Sequence, residues 1–319
     1  MERDISENNL IEDADVFADV VNVNLFDGEN EITEKDIRSM PTVSSYKDLD
    51  GTLHKQIRDV FKLVYSLGGC IALIGCESQQ DINRIMPVRD MGYTYTAYMK
   101  QIQDITAKNR RNKNPAYAKV LHENQKLMPV ATFILYFGDE KWEKPLTLMD
   151  ILDIPEDKTA FWKQLINDYP IRIISVADQP EDVRDKYKSD FRIIADYMAF
   201  RNDKTKVKEY FKNNDQELIH VEHVLDLLHA LSGDSRFNLI RQKYEEMEEA
   251  EKGENRKMCL LLDAIEEEGI EKGIEKGIKQ GIGQTMNKIA ERMIKAHEPI
   301  QKIIEYTGIS QDELKKLME

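Results

Sequence analysis

Two apolar runs with a short break between them dominate the first quarter of the chain. Residues 57–65 read IRDVFKLVY, SLGG interrupts at 66–69, and CIALIGCESQ continues over 70–79 as a nearly unbroken apolar segment. β-branched and aromatic side chains suit a pleated, half-buried surface, and serine with two glycines gives the chain room to reverse. The expectation is an antiparallel hairpin. Its second strand ends on Glu77-Ser78-Gln79, and its first strand carries Asp59. Glu77 and Gln79 share a face by the strand period of two. Whether Asp59 joins them depends on register. Pairing 65 with 71 sets 59 opposite 77, whereas a four-residue loop sends the two carboxylates to opposite faces. A site here therefore requires an odd loop or a bulge, which the Ser/Gly break permits.

The rest of the chain extends this into a mixed α/β fold. Val16, Phe17, Val20 and Val21 form an apolar stripe on a helix from about Asp13 to Asn24, and Asp27-Gly28 marks a turn. Pro87 opens a helical segment to about Ile105. The apolar continuity of LMPVATFILYF at 127–137 predicts a central strand covered on both faces, followed by a shorter strand at 171–176 and helical spacing over 181–200. Beyond Arg201 the pattern is helical and charged to about Glu251.

The last seventy residues differ in kind. Gly-Ile-Glu-Lys begins at Gly269 and Gly273 with a degenerate continuation from Gly277, so glycines line one helical stripe and Ile270, Ile274, Ile278 and Ile282 the next. Each glycine costs a helix interior about 1 kcal/mol relative to alanine. The segment is either a self-associating helix that gains from close approach of a partner, or a hinge. Three short helices are expected after it, over 287–296, 299–306 and 310–317, the last with a Ser310/Glu313 capping box. Carboxylates at the start of that last helix would repel phosphate, which favours a protein-contact module over a DNA reader. The domains expected are 1–250, 251–286 and 287–319.

Composition restricts function. No apolar run approaches the roughly 20 residues of a membrane span, and the opening MERDISEN lacks the basic-then-apolar layout of a secretory leader. A cytoplasmic protein without membrane attachment is expected. Cys70, Cys76 and Cys259 cannot all pair and read as reduced thiols. A net charge of −14 argues against a broad nucleic-acid-binding face, so DNA must meet a local patch. The run 108–119, with Arg110, Arg111, Lys113 and Tyr117, is the candidate; its alternative is a solvated loop. Phosphate loops, nucleophile elbows and Cys-x-x-Cys pairs are absent from the sequence, which sets aside the common NTPases, hydrolases and zinc ribbons. His220, Glu222, His223 and His229 lie on a predicted helix, where the three-residue histidine spacing without a further ligand reads as a solvated face.

Two carboxylates on adjacent strands repel each other and favour a cation between them. Magnesium, or manganese, suits hard oxygen ligands and leaves positions for water and a phosphate oxygen. The competing account of Asp59 and Glu77 is a pair of solvated strand-end carboxylates. The segment IGCESQQDINRIMPVRDMGYTYTAYMKQI at 74–102 resembles the acidic-x-Gln, Met-Pro-x-Arg, Tyr and Lys-Gln series of the recombination-promoting nuclease/transposase family. LMPVATFILYFGDEKWEKPLTL from Leu127, the Gly-Ile-Glu-Lys tail and Phe17-Ala18-Asp19-Val20 are similar to it as well. The resemblance implies a restriction-endonuclease-like core of the PD-(D/E)XK class acting on DNA. It places Asp59, Glu77 and Gln79 at the catalytic positions, with Asp59, Glu77 and Asp19 as metal ligands. Arg89 and Tyr93, one helical turn apart, would contact substrate or a metal-bound water, or else only pack. Gln79 stands where most of that class has lysine, and an amide orients water without supplying positive charge. The functions expected are a metal-dependent endonuclease or, alternatively, a nuclease-fold scaffold that has lost activity.

Overall fold

The computed structural model describes residues 2–47, 53–57, 59–67, 70–112, 121–254, 256–257, 259–260, 281, 284–296 and 298–310. The chain divides into two compact units, Met1–Lys257 and Met258–Glu319.

In the first unit, helices α1 (Glu2–Glu12) and α2 (Ala14–Leu25) lead into short strand β1 (Ile37–Ser39). A hairpin of β2 (Val43–Lys47) and β3 (Leu53–Ile57) forms a separate two-stranded sheet. β4 (Val60–Leu67) and β5 (Cys70–Gln79) follow, then the 26-residue helix α3 (Met86–Arg111), β6 (Val130–Tyr136) and β7 (Ile173–Ser175). The main sheet has the order β1-β4-β5-β6-β7. β4 pairs antiparallel with β1 and β5, while β6 pairs parallel with β5 and β7. The fold is thus a five-stranded mixed sheet flanked by helices. A parallel pair needs a crossover, and α3 lies in the one joining β5 to β6.

The sequence logic of this core is direct. Val16, Phe17, Val20 and Val21 are buried on α2, and Phe17 meets Phe133 of β6 with ring centroids 6.0 Å apart. On the opposite sheet face, Phe61 and Leu73 pack with Ala97 of α3. β6 is covered on both faces, so Phe133 through Phe137 are all buried, as an unbroken apolar strand should be. Directly after it, a side chain at Gly138 would overlap the Tyr136 ring and the Gln80 carbonyl, which confines this position to glycine. Asp27 and Gly28 both have positive φ and form the expected turn.

The short helices α4 (Thr159–Trp162) and α5 (Glu181–Arg184) precede α6 (Phe191–Phe200), α7 (Lys204–Asn213), α8 (Val221–Ser232), α9 (Ser235–Glu246) and α10 (Glu249–Glu254). The single helix expected over 181–200 is therefore two, α5 and α6. No described helix is long and apolar enough to cross a membrane.

In the second unit, residues 284–295 and Ile300–Thr307 are helical, close to two of the three expected helices. Ala290, Ile303 and Ile309 form their core. The Gly-Ile-Glu-Lys segment up to residue 280 and residues 311–319 lie outside the described residues.

Candidate functional site

The ladder between β4 and β5 runs Val60↔Cys76 through Val64↔Ala72, then shifts to Leu67↔Cys70 across a bulge between Val64 and Leu67. Extended by one residue, this register sets Asp59 opposite Glu77. Directly opposed residues project to the same face of a sheet, so the two carboxylates are neighbours. The irregularity that the spacing required is present.

Their environments differ. Asp59 is half-buried, and its Oδ2 accepts the backbone N–H of Ser78 at 2.9 Å, taking over at the ladder's end the part of a backbone carbonyl. Glu77 is fully buried beneath α3. Its Oε2 accepts from Arg89 Nη2 at 3.2 Å, while its Oε1 is buried without a hydrogen-bond partner among the described residues. Burial, then the negative charge of Asp59, raise the Glu77 pKa to about 8, against the opposing influence of Arg89, the Tyr93 hydroxyl and the Asp59 backbone N–H. A carboxylate so placed is short of positive charge.

Arg89 and Tyr93 share one face of α3, as their spacing implies. Arg89 Nη2 donates to the Tyr93 hydroxyl at 2.6 Å and its guanidinium lies 5.6 Å from the Tyr93 ring centroid. Tyr93 is buried and its phenol is pushed well above the ordinary range, chiefly by burial and then by the charge of Glu77. Arg89 is about one-third exposed, with its remaining nitrogens uncommitted among the described residues. It therefore reaches from the buried glutamate toward solvent.

Gln79 ends β5 two residues beyond Glu77. Its amide is engaged locally, Nε2 donating to Ser78 O at 2.9 Å and Oε1 accepting from Asn83 at 3.5 Å.

Three expected residues are not brought to this pair. Asp19 ties α2 to the junction of α5 and α6, its Oδ2 accepting the backbone N–H groups of Lys188 and Ser189 at 2.8 and 2.7 Å. Those bonds give it a structural part. Arg110 and Arg111 close the far end of α3, about 32 Å from Arg89 at 1.5 Å of rise per residue. Residues 113–120, the remainder of the basic run, lie outside the described residues.

Sequence reasoning missed a carboxylate. Glu7, on a helix whose few apolar positions gave no clear stripe, is fully buried and accepts from Gln80 Nε2 at 3.4 Å. Together with Asp59 and Glu77 it helps burial push the Cys76 thiol well above its usual range, so Glu7 lies within electrostatic reach of the acidic end of β5. Cys76 itself is a free, fully buried thiol in this setting. On the same sheet face the buried Lys62 is paired with Glu12 and donates to the Glu12 carbonyl and Ser39 Oγ, both at 2.8 Å. Lys62 and Glu12 thus neutralise each other on the face that carries Cys76, while Asp59 and Glu77 project to the face covered by α3.

Compared with protein-family models, with curated proteins and with solved structures, the chain matches none.

Proposed function

We propose that the chain is a divalent-metal-dependent phosphodiesterase acting on DNA, of the restriction-endonuclease-like class that residues 74–102 and 127–148 resemble. One observation carries the reading. A fully buried glutamate, Glu77, near the carboxyl end of β5 and opposite Asp59, has an oxygen without a hydrogen-bond partner among the described residues.

The residues fit such an ion. Glu77 Oε1 and the Asp59 carboxylate are hard oxygen donors from adjacent strands, and a cation between them offsets both their mutual repulsion and the cost of burying Glu77. When bound, magnesium or manganese polarises a phosphoryl oxygen and makes water more acidic. The chain's own groups do the remainder. Arg89 orients Glu77 through Oε2 and offers its outer N–H groups to a phosphate. Tyr93, held by Arg89, fixes the guanidinium in place. Gln79 can orient water or a phosphate oxygen but brings no charge, so stabilisation of the transition state falls to Arg89 and the cation.

Nicking of supercoiled DNA tests the reading, with magnesium, with manganese and with chelator. The unaltered chain should nick only with metal, and Asp59→Asn and Glu77→Gln should each abolish nicking while leaving the circular dichroism spectrum unchanged. Activity that survives chelator and both substitutions would refute the assignment. Absence of activity in either metal would favour a nuclease-fold scaffold instead.

A further inference from the structure

A second group of metal-ligating side chains lies where α8 meets the junction of α1 and α2. Asp13, His220 and His223 each offer a donor atom within 4.8 Å of the others, and they are the one such group of three among the described residues. Asp13 Oδ2 is 2.7 Å from His223 Nδ1 and 3.2 Å from His220 Nδ1. The other nitrogen of His220, Nε2, lies 2.8 Å from Asp15 Oδ1. A carboxylate can only accept, so Nε2 carries a proton, and His220 Nδ1 faces Asp13 Oδ2 as the atom that an ion would take.

The surroundings hold this arrangement in place. Asp13 occupies the N-cap of α2, yet its side chain makes no capping bond and turns to the histidines instead. His220 is fixed through its backbone, because Asp190 Oδ2 accepts the N–H groups of Ile219 and His220 at 2.9 and 2.6 Å. The two imidazoles lie nearly parallel, with interplanar angle 10°. All three donors are partly exposed, so an ion has an entry path and a remaining position for water.

We infer that Asp13, His220 and His223 form a zinc-class metal site, with Asp15 as the outer carboxylate that sets the tautomer of His220. Two imidazole nitrogens and one carboxylate oxygen suit a borderline transition-metal ion and not magnesium. Neighbouring donors on a tetrahedral zinc ion are about 3.3 Å apart, given bonds of about 2.0 Å. The His220 contact, at 3.2 Å, has nearly that spacing already, and the His223 ring, now at 2.7 Å, must withdraw by about 0.6 Å. A carboxylate on the outer nitrogen, as Asp15 stands to His220, is the usual way such a ligand is oriented. A metal here would staple α8 to the two helices that carry Glu7 and Asp19.

The test uses the full-length Asp59→Asn/Glu77→Gln chain, in which the acidic pair on the sheet is silenced, and zinc as the titrant. Calorimetry should give one zinc per chain. His223→Ala should weaken it at least 100-fold, and Asp15→Asn about 10-fold, the range expected for an outer-sphere partner. Cobalt(II) bound to the same chain with its histidines intact should show visible bands of nitrogen-containing, low-coordinate geometry that equimolar zinc removes, a readout independent of how His223→Ala folds. Zinc binding unaffected by His223→Ala, or cobalt bands absent, would reduce the cluster to hydrogen bonds sharing a proton.

Discussion

Glu77→Gln should make the metal-free protein more stable at neutral pH while removing its function. The folded chain holds the Glu77 proton to about pH 8, whereas an ordinary glutamate releases it near 4.5. The folded state therefore binds more protons than the unfolded one across that interval. The stabilisation from this proton is fully present below about pH 4.5 and is lost as pH rises through 8. With each tenfold in proton affinity equal to 1.36 kcal/mol, the loss between pH 4.5 and 8 is of the order of 4 kcal/mol. Because the side chain is only 1% exposed, solvent screening reduces this little. Glutamine has the same shape and no charge to lose. Urea unfolding followed by circular dichroism, in metal-stripped buffers from pH 4.5 to 8, should show the unaltered chain falling relative to the variant by that amount. Saturating magnesium should restore the unaltered chain at pH 8 and leave the variant unmoved. Parallel curves for the two proteins would refute the reasoning, since burial and Asp59 would then place no penalty on ionised Glu77.

Gln79→Lys should raise the rate of nicking if charge in the transition state limits it, as single-turnover cleavage would show; an unchanged rate would assign that stabilisation to Arg89 and the metal. Asp196→Ala strands the buried Arg184, now paired at 2.7 Å, and should cost about 3 kcal/mol by urea unfolding; a cost below 1 kcal/mol would mean that the Gln179 carbonyl alone satisfies the guanidinium. Gly138→Ala should cost about 2 kcal/mol or more through overlap with Tyr136 and Gln80, and a neutral thermal melt would contradict that packing.

What was legible in the sequence followed from continuity and register. CIALIGCESQ coincides with β5 because an unbroken apolar run admits few boundaries, and the parity of the connection already required the bulge that brings Asp59 to Glu77. α1 was not legible. Its apolar positions are sparse, and nothing in the sequence marks Glu7 as buried or Glu12 as the partner of Lys62. β1 is a three-residue edge strand, too short to show a period. The break between α5 and α6 depends on Asp19, distant in sequence, whose carboxylate takes the backbone N–H groups of Lys188 and Ser189 and so replaces the bonds that a continuous helix would make. The histidines show the same limit. His220 and His223 are three apart on one helix, but the carboxylates that complete their cluster lie about two hundred residues earlier.

The central claim, that Asp59 and Glu77 hold one divalent cation between them, is tested most directly by crystals soaked in manganese and measured at its absorption edge. The account predicts an anomalous peak about 2.1 Å from Glu77 Oε1 and from an Asp59 oxygen, the distance expected for a hard divalent ion, and its loss in Glu77→Gln. A map without density between the two carboxylates, or with manganese at Asp13, His220 and His223 alone, would contradict it.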